Sequence, residues 1–170
     1  MPESLAPEAP DDDATAQEFW AFSLDLYARP GVAGACLRLQ DAHALDVNLL
    51  LLCCWLARRG CRLTAADLAA AEARAAPLRA RVLEPLRAVR RALKTMPAAG
   101  AAELYARVKE VELAAEREEQ RAIVAPWSAP PMASSDQGID EEVNLTLYFT
   151  AHDLAPEIGA ELINALRTTP

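Results

Sequence analysis

The recurrence of apolar and polar positions predicts helices along almost the whole chain. Phe19, Trp20, Phe22, Leu24, Leu26 and Tyr27 form a wide apolar surface that stops at Arg29-Pro30-Gly31, and Thr15 followed by Glu18 has the capping-box pattern of a helix start. Val32 to about His43 predicts a second helix, with Cys36, Leu37 and Leu39 apolar. The densest run is DVNLLLLCCWLARRG, Asp46 to Gly60. Its residues from Leu49 to Leu56 occupy every azimuth, so this helix is expected to be surrounded by others rather than lie half exposed. Asp46 suits the N-cap, Arg58 and Arg59 the negative end of the helix dipole, and Gly60 a left-handed stop. The apolar run ends at Ala57, far short of the roughly 20 residues a membrane span needs.

Thr64 with Asp67 is a second capping box, opening an alanine-rich helix that meets Pro77 and continues through LRARVLEPLRAVRRALK with a kink expected at Pro85. Pro97 and Gly100 close a turn. In the next helix Leu104, Val108, Val111 and Ala115 recur at helical spacing, so its apolar row should pack antiparallel on Leu78, Val82, Leu86, Val89 and Leu93. After Pro126 comes a stretch rich in proline, serine and alanine. EVNLTLYFTA then alternates as a strand would, but no partner strand is visible and a helix is expected. Its Glu142-Val143-Asn144-Leu145 echoes Asp46-Val47-Asn48-Leu49, as two acid-capped helix starts would. Pro156 begins a final helix. The expected architecture is all-α: a compact multi-helix bundle around a buried central helix. It divides into a disordered acidic tail over 1–14, a helical core over 15–125, a linker or long loop over 126–138, and C-terminal helices over 139–168 packing on the core.

A chain of 170 residues, 52% hydrophobic and 25% charged, suits one domain with a real core. The net charge is −8, and Glu3, Glu8, Asp11, Asp12 and Asp13 carry much of it in the tail. That balance argues against nucleic-acid binding, and a start without a basic n-region or apolar h-region argues for a cytoplasmic protein off the membrane. Cys36, Cys53, Cys54 and Cys61 form no Cys-x-x-Cys pair, and His43 and His152 are far apart, so no metal or other cofactor is expected. Cys53 and Cys54 point about 100° apart on their helix. The cysteines read as buried free thiols, with Cys61 the most exposed.

Phe19-Trp20, Phe22-Ser23, Tyr27, Leu39-Gln40-Asp41, Asp46-Val47-Asn48-Leu49, Trp55, Pro85-Leu86 and the basic run Arg87, Arg90, Arg91 and Lys94 together resemble an uncharacterised family of small bacterial proteins, mainly proteobacterial, known as a domain of unknown function. The resemblance covers most of Glu18 to Gln120. It implies a helical fold and a bacterial origin, and brings no reaction with it.

Two sets of residues are candidates for function. Arg87, Arg90, Arg91 and Lys94, with Arg79, form a basic arc beside the apolar row. Pairing with the next helix would account for it, Arg87 level with Glu110, Arg81 with Glu116 and Arg79 with Glu118; docking an acidic protein or a phosphate-bearing ligand is the sharper alternative. Gln40, Asp41, Asp46 and Asn48 form a polar set that serves capping and a buried network, or lines a pocket. Glu112, Glu116 and Glu119 share a face but lack the histidines of bundle metal centres. No catalytic motif is present and no catalytic residue is named. The expected role is an adaptor or regulator acting through protein contacts, with an unknown, acidic partner and self-association left open. The alternative is a small-anion-binding protein or an enzyme built around Gln40, Asp41, Asp46 and Asn48.

Overall fold

The computed structural model of the chain describes residues 12–127 and 139–168, and within them every regular element is helical. The elements are α1 (Asp12–Tyr27), α2 (Val32–His43), α3 (Val47–Arg58), α4 (Ala65–Leu78), a π-turn (Arg79–Leu83), α5 (Glu84–Thr95), α6 (Ala101–Val124), a 3₁₀ turn (Ala125–Trp127), α7 (Glu141–Ala151), a second 3₁₀ turn (Pro156–Gly159) and α8 (Ala160–Thr168). Of the expected tail over 1–14, residues 1–11 lie outside the described residues and 12–14 belong to α1; of the expected loop over 126–138, residues 128–138 lie outside them and 126–127 belong to the 3₁₀ turn.

α3 is the buried central helix, closed off from Asn48 to Ala57 by α1, α2, α6 and α7. Leu49, Leu50, Leu52 and Leu56 have no exposed surface, and each such burial is worth about 1.5–3 kcal/mol. Asp46 caps the helix by accepting the Asn48 backbone N–H at 2.8 Å. At the other end Gly60, at φ 73°, lets the N–H of Gly60 and of Cys61 return to the carbonyls of Ala57 and Leu56. Arg58 and Arg59 cover this end, lying over the rings of Phe22 and Trp55 at 5.3 and 4.6 Å. α7 docks alongside α3, and Asn144 fixes it there by accepting from Leu63 N–H and donating to the carbonyls of Cys53 and Cys61.

Several local expectations are corrected. Thr15 lies inside α1, which starts at Asp12, so it is no cap. α7 is capped by Asp140, whose carboxylate accepts the Glu142 N–H, so the echo of the α3 start is one of sequence and not of cap position. Pro85, where a kink was expected, lies in the first turn of α5. The irregularity lies just before it, where Glu84 N–H donates to Arg79 O and closes a five-residue turn.

That π-turn decides what α5 presents. Leu68, Ala71 and Ala75 are the buried row of α4, and Leu78, Val82, Leu86, Val89 and Leu93 continue it in steps of three and four. In an unbroken α-helix all would share one face. An extra residue of winding at 79–83 turns the rest of the helix by about 100°. Arg87 is thereby buried against α6, whereas Val89 is 47% exposed and, on α6, Leu104 and Val111 are each 54% exposed. The α5–α6 seam is ionic where an apolar one was expected: Arg87 contacts Glu112 at 3.4 Å and Glu116 at 3.1 Å, and Arg90 contacts Glu112 at 2.5 Å. Arg79 pairs with Asp46 and not with Glu118.

Candidate functional site

The turn between α2 and α3 brings polar groups to the inner end of the α5–α6 seam. Ala44 caps α2 at φ 55°, a left-handed conformation that costs a non-glycine residue about 1 kcal/mol, and its N–H returns to Gln40 O. The reversal delivers Asp46 to the interior, 2% exposed.

Around Asp46 four elements meet. Its Oδ2 lies 2.8 Å from Arg79 Nε of the π-turn, an ion pair without the alignment of a hydrogen bond, and its backbone N–H donates to the Tyr148 hydroxyl of α7 at 2.9 Å. Deeper in, Asn48 donates to Glu119 Oε2 and accepts from Gln120 Nε2 at 2.9 Å. Glu119 has no exposed surface, and its other oxygen lies 3.9 Å from Arg79 Nε. Burial, reinforced by the negative charge of Asp46, pushes the Glu119 carboxyl up to about 8, so it holds a proton at neutral pH. The same two causes raise the Tyr148 phenol, and burial raises Glu116.

Above this floor opens a cleft of about 240 Å³ lined by Gln40, Asp41, Ala44, Leu45, Asp46, Arg79, Glu84, Arg87 and Arg91. The two candidate sets are thus brought together in part. Gln40, Asp41, Asp46, Arg87 and Arg91 share the cleft, and Asn48 lies beneath it. Arg90 is turned to Glu112, and Lys94 is exposed and outside the lining. Arg91, Asp41 and Glu84 have no ion-pair partner among the described residues. His43 lines a separate cavity of about 100 Å³ with Arg38 and Glu161.

The sequence pattern singles out neither Gln120, Tyr148 nor Glu84, and points to Glu119 only as a metal ligand. One signal is present: Asn48 among leucines and Glu119-Gln120 before Ile123-Val124 are polar residues at apolar phases, and such residues need one another. Among the described residues no group of three or more His, Cys, Asp or Glu is arranged to hold a metal, and no helix is long and apolar enough to cross a membrane. Cys36, Cys53 and Cys54 are buried free thiols. Glu119 is sealed from the cleft, so its chemistry is to set the floor's charge and hydrogen bonding, and the groups open to a ligand are Arg91, Gln40, Asp41 and Glu84.

Residues 18–123 match the model of a family described as a protein of unknown function, DUF2390. No curated protein and no solved structure matches the chain.

Proposed function

From the premise that the chain belongs to this family of unknown function, whose description assigns no reaction, we propose that the protein binds a small anionic ligand in the cleft between the α2–α3 turn and α5. The observation that carries the reading is the unequal pairing of the three arginines there. Arg79 is held by Asp46 and Arg87 by Glu112 and Glu116, whereas Arg91 is exposed and has no ion-pair partner among the described residues. Two guanidinium groups are positioned by carboxylates behind them, and the third is free to close on a carboxylate or phosphate through its planar fork of donors. Asp41 and Glu84 on the rim disfavour a polyanion and suit a ligand that also carries a donor. At about 240 Å³ the cleft is smaller than a typical drug-sized site of roughly 300–1,000 Å³, so the ligand is a small metabolite. The floor supports the reading as well: a polar network sealed inside a bundle adds less stability than an apolar core of the same shape, and it gives the ligand-facing arginines fixed positions.

Calorimetric titration with inorganic phosphate, whose monoanion carries O–H donors, and with lactate, a monocarboxylate with a hydroxyl donor, tests the proposal. One of them should bind, and Arg91→Ala should weaken it at least tenfold with no change in melting temperature. Neither anion binding at millimolar concentration, or equal binding by Arg91→Ala, would sink it.

A second reading, an adaptor or regulator acting through protein contacts, draws on a different observation, the exposed Val89, Leu104 and Val111 of α5 and α6.

A further inference from the structure

We propose that the outer face of the α5–α6 hairpin is a self-association surface, occupied by a second copy of this chain about a two-fold axis parallel to the hairpin. Helical phase defines the face. On α5, Arg87 and Arg90 face α6, and Leu86, Val89 and Leu93 lie about 100° to one side of them. On α6, Glu112 and Glu116 face α5, and Leu104, Val108, Val111 and Ala115 lie about 90° away in the same rotational sense. The two helices are antiparallel, so equal senses put both rows on the same side of the hairpin. The cleft residues Glu84 and Arg91 fall on the opposite side, so this face is the molecule's outer one. Both rows step by three and four, the spacing of a seam that takes another pair of helices.

Three features select a second copy. The first is extent. α5 with the π-turn has 17 residues, about 25 Å, and two helices roughly 10 Å apart offer a face on the order of 500 Å², so two copies together reach the roughly 1,000 Å² of total burial that a specific interface needs. The second is charge: Arg79, Arg87 and Arg90 are paired inward and Arg91 faces the cleft, so these charges are used inside the hairpin or on its other side and leave the aliphatic rows to meet an equally apolar face. A two-fold along the hairpin lays α5 of each copy antiparallel on α6 of the other, so that the aliphatic rows meet one another. The third is a matched pair of loose ends. Arg81 and Glu118 sit on opposite outer edges of the face, both exposed and neither ion-paired among the described residues. With Arg87 level with Glu116 and Arg90 with Glu112, Arg81 falls within about one turn of the level of Glu118, and the two-fold brings Arg81 of one copy to Glu118 of the other, twice.

Sedimentation equilibrium of the full chain tests this. The wild type should be a dimer at micromolar concentration, and Val89→Glu with Val111→Glu should be monomeric while keeping the native circular-dichroism spectrum. Should that pair of changes unfold the chain, Leu104→Glu alone makes the same test, at a side chain 54% exposed. Arg81→Glu should weaken the dimer several-fold, and adding Glu118→Arg should restore it. A monomeric wild type would overturn the proposal. A dimer that persists in the folded face variants would also overturn it, and one indifferent to the charge swap would overturn the two-fold along the hairpin.

Discussion

Asn48 of α3 donates its side-chain amide to Glu119 of α6 at 2.5 Å, with Glu119 fully sealed and Asn48 nearly so. The amide satisfies one carboxyl oxygen but supplies no charge. The nearest cation to the other oxygen is Arg79 Nε at 3.9 Å, already committed to Asp46 at 2.8 Å. One guanidinium therefore serves two carboxyl groups, and the more deeply buried one keeps its proton.

Glu119 should make stability depend on pH. Its folded value of about 8 lies above the ordinary 4.5, so the native state holds this proton more tightly than the unfolded chain does. Its contribution is fully present below about pH 4.5, is lost as pH rises to about 8, and changes little beyond, with a slope of up to roughly 1.4 kcal/mol per pH unit. Glu119→Gln keeps the shape and removes the titration. Urea midpoints from about pH 5 to about pH 9 should fall for the wild type and be flatter for the variant; parallel profiles would show that Glu119 is ionised throughout.

Asn144 should be the costliest polar residue to remove from α7. Its side chain accepts from Leu63 N–H and donates to two carbonyls at 3.0–3.1 Å, two of the bonds buried and the one to Cys61 partly so. Asn144→Ala removes the partner of Leu63 N–H and Cys61 O, while Cys53 O keeps its place in the helical ladder of α3, and should cost about 2–4 kcal/mol in denaturant unfolding. A loss under 1 kcal/mol, about the net worth of one hydrogen bond, would mean that water replaces the amide.

At Gly159 the constraint is space. A Cβ there would lie 2.2 Å from Cε2 and 2.6 Å from Cζ of Phe149, itself fully buried. Gly159→Ala should destabilise by about 1–3 kcal/mol, and adding Phe149→Leu should recover part of the loss. Simple additivity of the two changes would argue that the residues do not touch.

The thiols should separate by burial. Cys36 is pushed up to about 12 by burial, Cys53 and Cys54 are raised further by the same cause, and Cys61 is partly exposed. Native protein with a disulfide reagent should be modified first and mainly at Cys61, and all four cysteines should react after denaturation. Fast modification of Cys53 would mean that α3 opens.

The bundle was legible in the chain because its signals agree: Asp46 and Gly60 bracket a run apolar on every side, and Thr64 with Asp67 and Gly100 mark the starts of later helices. The site was half legible. Asp46 and Asn48 stand out as polar residues beside leucines, and Arg87 and Arg91 as a basic run. Two things hid their convergence. Tyr148, Glu119 and Arg79 reach Asp46 or Asn48 only through tertiary packing across 102, 71 and 33 positions. Helical phase projected from α4 through Arg79–Leu83 at a constant 100° per residue also assigns α5 the wrong inward face. Leu104 and Val111 of α6 are then matched to that wrong face.

The π-turn also has a meaning for length change in this protein. One extra residue of winding separates two complete, mutually exclusive faces of α5, an aliphatic one in phase with Ala71 and Ala75 and a charged one in phase with Glu112 and Glu116. A single-codon deletion within the turn, such as loss of Ala80, therefore need not break the helix. It would let α4 and α5 run on as one regular rod with Arg87 still turned to α6, because the path from Ala75 to Leu83 then closes in about two α-helical turns and every residue beyond keeps its phase. Such a chain would keep both the cleft and the outer apolar face, whereas straightening the turn at full length would swing Leu86, Val89 and Leu93 onto α6 and lose both, so two surfaces on opposite sides of the hairpin depend on how one inserted residue is wound.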